Sequence, residues 1–151
     1  MTPEVYNWVK FVRDKFGLSG KVLDVGSRHI NGDVRDLFDD YTGLDLVPGL
    51  NVDVVANAHN IPFPDAHFDV VCCLEMMEHD ENFFLSLAEI YRVLKPGGWF
   101  LLTARGNGYE LHDYPHDYWR FTQDGFMLLL KQFTSFSAGV NLMGVYGWAK
   151  K

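Results

Sequence analysis

Residues 68–74, FDVVCCL, are apolar at all but one position and show no polar alternation. A strand that reads this way is covered on both faces, which is the environment of a central strand in a parallel sheet flanked by helices. That single run constrains the architecture most, because parallel neighbours need crossover connections and so demand alternating strands and helices along the chain.

The surrounding sequence supplies them. Thr2 followed by Pro3 reads as an N-cap with proline at the first helical position, and Val5, Trp8, Val9, Val12 and Phe16 recur at helical spacing until Gly17. Residues 21–25 are short, apolar and β-branched and run into Gly26, as a buried strand does before a turn. A helical stretch over 32–38 leads to a second strand at 41–46 and a third at 52–56. Phe83, Leu87, Ile90, Tyr91 and Leu94 mark one helix face, which Lys95-Pro96-Gly97-Gly98 ends before strand character resumes at 99–103. Thr122 can cap a last helix reaching 132, and strands at 133–143 and 145–150 flank Gly144. The pattern predicts one α/β domain over 1–151, with a Rossmann-like, doubly wound, mostly parallel sheet and an antiparallel C-terminal hairpin strand. Only Val47 to Asn51 separate strands two and three. Five residues extend at most about 17–18 Å, so the crossover helix between those strands is expected to be missing.

Net charge is −7, which opposes binding to phosphate backbones and makes a nucleic acid an unfavoured partner. No apolar run approaches the ~18–20 residues of a membrane span, and MTPEVYNWVK lacks the basic start of a signal peptide, so a cytoplasmic protein is expected. Cys72 and Cys73 are adjacent and point to opposite faces of a strand; they are read as buried filler.

In an open α/β sheet the ligand meets the turn after strand one, here Asp24-Val25-Gly26-Ser27-Arg28. Gly26 permits close backbone approach, and Asp24 can orient backbone amides or accept from an ammonium group. About 20 residues later Asp45 stands at the tip of strand two, where an acid suits the two hydroxyls of a ribose. Dinucleotide enzymes share this pair of features.

The order of the further pieces discriminates. VLDVGS, then GLDL, then ANAHNIPFPDAHFDVVCCLEMMEH, then LKPGG before a strand, together resemble the class I S-adenosylmethionine-dependent methyltransferases, in the subgroup with Glu-His after strand four, over about residues 20–104. The resemblance implies S-adenosylmethionine as cofactor and S-adenosylhomocysteine as product. It places Asp24, Gly26 and Ser27 on the methionine part, Asp45 and Leu46 on the ribose and adenine, Asn57 and Ala58 at the adenine edge, and Leu74 as backbone partner of the amino end. Two departures stand out: Ser27-Arg28-His29-Ile30-Asn31 replaces the usual run of glycines before Gly32, and Asn57 stands where an aspartate is common.

Glu75-Met76-Met77-Glu78-His79 follows strand four. A similar Glu-x-x-Glu-His occurs in ubiquinone-pathway O-methyltransferases and in the Hen family of small-RNA 2′-O-methyltransferases, where it supports a divalent metal with a later histidine. His112 and His116 occupy that later region here. The alternatives are a metal-free general base, His79 or His116, and pure positioning of substrate. Residues 105–121 have no clean period and gather Tyr109, Tyr114, Tyr118, Trp119 and Phe121 with His112, His116 and Arg120. This segment is expected to face the acceptor, with Phe121 packing against the sheet and the two histidines, Tyr114 and Arg120 turned toward substrate. The leading reading is a methyltransferase acting on an oxygen or nitrogen of a small molecule or glycan. An RNA 2′-O-methyltransferase, and a non-catalytic cofactor-binding module acting as partner or regulator of a larger enzyme, are the competing ones; a homodimer or a larger-enzyme partner is the expected assembly.

Overall fold

A computed structural model describes residues 1–112 and 116–151. Helix α1 (Pro3–Phe16) begins at the expected proline and ends at Gly17, whose φ of 63° is the left-handed conformation that glycine adopts without a Cβ penalty. Strand β1 (Lys21–Val25) leads through a 3₁₀ turn (Arg35–Leu37) to β2 (Asp40–Asp45) and β3 (Val54–Val55). Then come β4 (Phe68–Leu74), a 3₁₀ turn (Met77–His79), α2 (Phe83–Val93) and β5 (Leu94–Arg105). Helix α3 (Gln123–Leu129), a 3₁₀ turn (Leu130–Gln132), β6 (Ser135–Asn141) and β7 (Gly144–Lys150) complete the order.

The seven strands form one sheet in the order β3-β2-β1-β4-β5-β7-β6, parallel except for β7, which runs antiparallel to both neighbours. Strand order reverses between β1 and β4, so a crevice opens at their carboxyl ends. Alternate side chains of the central strands feed two cores. Val22, Val70, Cys72 and Leu101 pack under α1 with Val34, Leu37 and Phe38, while Leu23, Val71, Cys73 and Leu102 pack under α2 and α3. Cys72 and Cys73 are buried free thiols on opposite faces, as their adjacency requires.

Three elements differ from the sequence pattern. The helix expected over 32–38 contracts to the single turn Arg35–Leu37, because Gly32 takes a φ of 121° and the Asp33 carboxylate accepts from Arg35 N at 3.1 Å, each of which diverts the backbone from a helical start. Strand three contracts from five residues to Val54–Val55. It pairs only with Leu44 and Asp45, so the chain backtracks by one residue's rise, about 3.3 Å, after β2 and needs no helix to do so. The link between β2 and β3 accordingly contains none. Lys95-Pro96-Gly97-Gly98 does not lie outside the sheet: β5 already begins at Leu94, and the register jumps from Phe68↔Leu94 to Val70↔Trp99 across this tetrapeptide. Thr122 does cap α3, its hydroxyl accepting from Gly125 N at 3.0 Å, whereas the Thr2 side chain makes no cap bond. Among the described residues no helix is long and apolar enough to cross a membrane.

Candidate active site

The turn after β1 lies at the crevice. Gly26 has a φ of 83°, and its N–H and that of Ser27 both donate to the Leu44 carbonyl, at 2.8 and 3.1 Å. A Cβ at position 26 would sit 2.5 Å from Met76 Cγ, so glycine is needed here for both conformation and space. Asp24 is 4% exposed; Tyr41 Oη donates to its Oδ2 at 2.6 Å, and Oδ1 has no hydrogen-bond partner among the described residues. Burial pushes this carboxyl up to about 7, against the pull of the Tyr41 hydroxyl. The folded chain therefore keeps a proton that the unfolded chain has released, and as pH rises from about 4 toward 7 the buried group costs increasing stability. A carboxyl kept at such a cost with one oxygen unmatched is suited to a cationic or hydrogen-bond-donating ligand.

Asp45 points from the tip of β2, with Oδ2 accepting from Arg28 N at 3.1 Å and Oδ1 from Val47 N at 3.0 Å. Ser27 is buried and donates its hydroxyl to the Asn51 carbonyl at 2.9 Å. Leu46 is exposed, Asn57 is exposed with its Oδ1 accepting from His59 N at 2.8 Å, Ala58 is half-buried against the core, and Leu74 ends β4 buried. All of these residues stand at or just beyond the carboxyl ends of β1 to β4.

On the far side of β4 the site is ionic. Glu75 takes a φ of 58°, uncommon outside glycine, and its Oε2 lies 2.5 Å from the Arg105 guanidinium in an ion pair whose angles are not those of a directed hydrogen bond. Glu78 is fully buried; Arg105 Nε is 3.9 Å from one of its oxygens, and neither oxygen has a hydrogen bond among the described residues. Burial first, then the Glu75 charge, pushes the Glu78 carboxyl up to about 8. His79 Nδ1 lies 2.6 Å from the His116 carbonyl oxygen, and its ring meets that of His112 edge-on with centroids 4.8 Å apart. A carbonyl only accepts, so Nδ1 carries the proton and Nε2 of His79 is the basic nitrogen.

The segment after β5 is organised around Asp117, whose carboxylate pairs with Arg120 and accepts from His112 N at 2.8 Å. Arg120 holds that carboxyl well below the usual range. Arg120 also donates to the carbonyls of Tyr109 and Glu110, so its guanidinium ties the loop together and does not face an acceptor as the sequence pattern suggests. Burial lowers the affinity of His112 for its proton, with Asp117 working against it. The loop is fastened to the Glu-His turn from two directions: Tyr118 N donates to the Glu78 carbonyl at 2.8 Å, and Trp119 Nε1 to that of Asp80 at 2.9 Å. Phe121 is buried and packs edge-on against Phe83 and Phe126. His116 is exposed with its ring beside Tyr118, and Tyr114 lies outside the described residues.

Glu78, His79 and His112 each offer a ligand atom, all within 4.8 Å of one another. The two oxygens of Glu78, which have no hydrogen bond among the described residues, and a ring nitrogen from each of His79 and His112 make a mixed oxygen and nitrogen donor set that fits a divalent first-row metal, with His112 Nδ1 also 3.1 Å from Asp117 Oδ2. The His116 carbonyl on Nδ1 of His79 is the kind of outer contact that orients a metal-ligating imidazole. Arg105, Tyr41, Asn51 and Asp117 are missing from the sequence-derived set: Tyr41 and Arg105 are placed by strand register, Asn51 and Asp117 by loop contacts that no local pattern records.

A family profile described as a methyltransferase domain matches residues 23–102, more than half of the chain. A phthiotriol/phenolphthiotriol dimycocerosates methyltransferase of Mycobacterium ulcerans is 38% identical over an aligned length of 118 residues, covering 66% of this chain and 43% of that protein. A fatty-acid O-methyltransferase of Mycolicibacterium smegmatis is 36% identical over 87 residues, 49% of this chain and 31% of that protein. The chain thus spans less than half the length of these relatives. Among solved structures, the 1,6-didemethyltoxoflavin-N1-methyltransferase of Burkholderia thailandensis, with bound S-adenosylhomocysteine, superposes with a TM-score of 0.76 at 18% identity, covering 97% of this chain and 78% of that one. Glycine turn, acid at the tip of β2, strand order and profile agree: the chain belongs to the methyltransferase domain family, within the class I S-adenosylmethionine-dependent methyltransferases.

Proposed function

We propose that this chain transfers a methyl group from S-adenosylmethionine to an oxygen or nitrogen of a small-molecule acceptor. The cofactor supplies the sulfonium methyl, so the protein's work is positioning and proton removal. Asp24, Gly26, Ser27, Asp45, Leu46, Asn57, Ala58 and Leu74 form the cofactor side. His79 takes the acceptor's proton on Nε2, while the His116 carbonyl holds its ring in that tautomer. The observation that carries this reading is the His79 imidazole held by its own acceptor loop at the end of the central strand. The fatty-acid acceptor in the name of the Mycolicibacterium smegmatis relative supports an apolar small-molecule acceptor over RNA, and the net charge of −7 also disfavours RNA.

The test is methyl transfer from labelled cofactor into a cell extract separated into lipid, polar small-molecule, glycan, RNA and protein fractions. Label in either small-molecule fraction supports the proposal. Label confined to RNA, glycan or protein overturns the acceptor class, and S-adenosylhomocysteine binding without transfer to any fraction favours a non-catalytic module.

Asp45→Ala is expected to cost roughly 1.5–3 kcal/mol of S-adenosylhomocysteine binding, about 10- to 150-fold in Kd, the range for hydrogen bonds to a charged group. Calorimetry measures this, and an unchanged Kd removes Asp45 from the site.

The donor set of Glu78, His79 and His112 supports a second reading, in which a divalent metal lies at these three residues and lowers the pKa of an acceptor hydroxyl. On that reading, dialysis against a chelator abolishes turnover and manganese or magnesium restores it. Unchanged turnover after dialysis, with no metal in the purified protein by elemental analysis, leaves His79 as the base.

A further inference from the structure

We propose that Asn51 is a positioning residue for the cofactor turn, fastening the β2–β3 link onto the loop after β1. The proposal rests on the assignment of Asp24, Gly26 and Ser27 to cofactor binding.

Asn51 sits in the link that has no helix, with a φ of 70°, where asparagine is among the best tolerated residues after glycine. Its carbonyl accepts from Ser27 Oγ at 2.9 Å, and its side-chain amide donates to the Ser27 carbonyl at 2.8 Å, so one residue grips Ser27 by both its hydroxyl and its backbone. The same amide donates its second proton to Tyr41 Oη at 2.9 Å, and its Oδ1 accepts from Arg35 Nε at 2.6 Å. Next to it, His29 N donates to the Leu50 carbonyl at 3.0 Å.

These bonds have a direction. Because Asn51 donates to Tyr41 Oη, the Tyr41 proton points away from it, to Asp24 Oδ2 at 2.6 Å. The chain Asn51 to Tyr41 to Asp24 thus commits one carboxyl oxygen of Asp24 and leaves Oδ1 buried without a hydrogen-bond partner among the described residues. Aspartate at position 51 would keep the size, the tolerance for positive φ and the contact with Arg35. It would lose both donors and compete with Asp24 for the Tyr41 proton. Glycine at 51 would keep the backbone conformation and remove all three side-chain bonds. This clamp stands where the sequence has Ser27-Arg28-His29 in place of further glycines, and it fixes by side-chain bonds a turn that a tighter glycine loop would fix by backbone packing.

The experiment measures S-adenosylhomocysteine binding by calorimetry and steady-state methyl transfer, with the extract fraction that takes up label in the assay above as acceptor, for wild type, Asn51→Asp, Asn51→Gly, Tyr41→Phe and Asp45→Ala. Circular dichroism establishes folding for each. Asn51→Asp and Asn51→Gly are expected to raise Kd and the cofactor KM about tenfold or more. At saturating cofactor kcat should stay within about twofold of wild type, a split that simple loss of stability does not produce. Tyr41→Phe should raise Kd less, since it leaves the grip on Ser27 intact. Wild-type Kd in both Asn51 variants, with Asp45→Ala impaired, overturns the proposal alone, as does a fall in kcat with unchanged KM. Should one Asn51 variant fail to fold, the other and Tyr41→Phe decide in the same way. Wild-type Kd in Asp45→Ala as well overturns the site assignment, and this proposal with it.

Discussion

His79→Ala is expected to slow methyl transfer by about 10²–10⁴-fold at saturating cofactor while leaving S-adenosylhomocysteine affinity within about twofold. The magnitude is that of removing a general base, and it follows from the tautomer: Nδ1 is committed to the His116 carbonyl at 2.6 Å, so only Nε2 can receive an acceptor proton. His116→Ala separates carbonyl from ring, because alanine keeps the backbone oxygen. If the exposed His116 ring takes no proton itself, that variant turns over within about twofold of wild type. Initial rates and calorimetry on both proteins check the pair of claims. Full turnover in His79→Ala removes His79 from the chemistry, and a loss in His116→Ala alone transfers it to the loop ring.

The contrast between these histidines shows what a sequence can and cannot convey. Residue spacing made β4 legible to its exact bounds, Phe68–Leu74, because an apolar run buried on both faces depends only on local composition. The Gly26 turn and Asp45 were legible for a similar reason: each is a strand end, and strand ends in a parallel sheet gather at one rim. The missing crossover helix was legible from chain length alone. By contrast, the contraction of strand three depends on how many residues β2 offers as partners, which no local pattern records. The ties within 105–121 were equally hidden. Arg120 reads as an acceptor contact until Asp117, three residues earlier, folds back on it, and His116 meets the His79 ring through a carbonyl that every residue possesses. Arg105 escaped notice because it closes an apolar strand; only the register Leu74↔Thr103 brings it beside Glu75 and Glu78.

Arg105 carries the largest expected effect on stability. Its guanidinium is 2.5 Å from Glu75, within 3.9 Å of the fully buried Glu78, and stacked over the Tyr109 ring at 4.0 Å from the centroid. Glu75 and Arg105 are themselves only 8% and 12% exposed, so little water reaches the cluster to screen it. Arg105→Leu keeps much of the apolar packing and removes the sole positive side chain paired with these carboxyls among the described residues. Stranding a buried carboxylate in this way costs about 3–5 kcal/mol, and urea denaturation should show a loss of that size. Burial pushes Glu78 up to about 8, so near neutrality it already holds a proton and Glu75 is the charge left unpaired. The double variant Arg105→Leu, Glu75→Gln removes that charge and should recover most of the loss. A loss under about 1 kcal/mol in Arg105→Leu would mean that water or Tyr109 already screens the pair, and equal losses in the single and double variants would place the cost in packing against Tyr109 and not in charge.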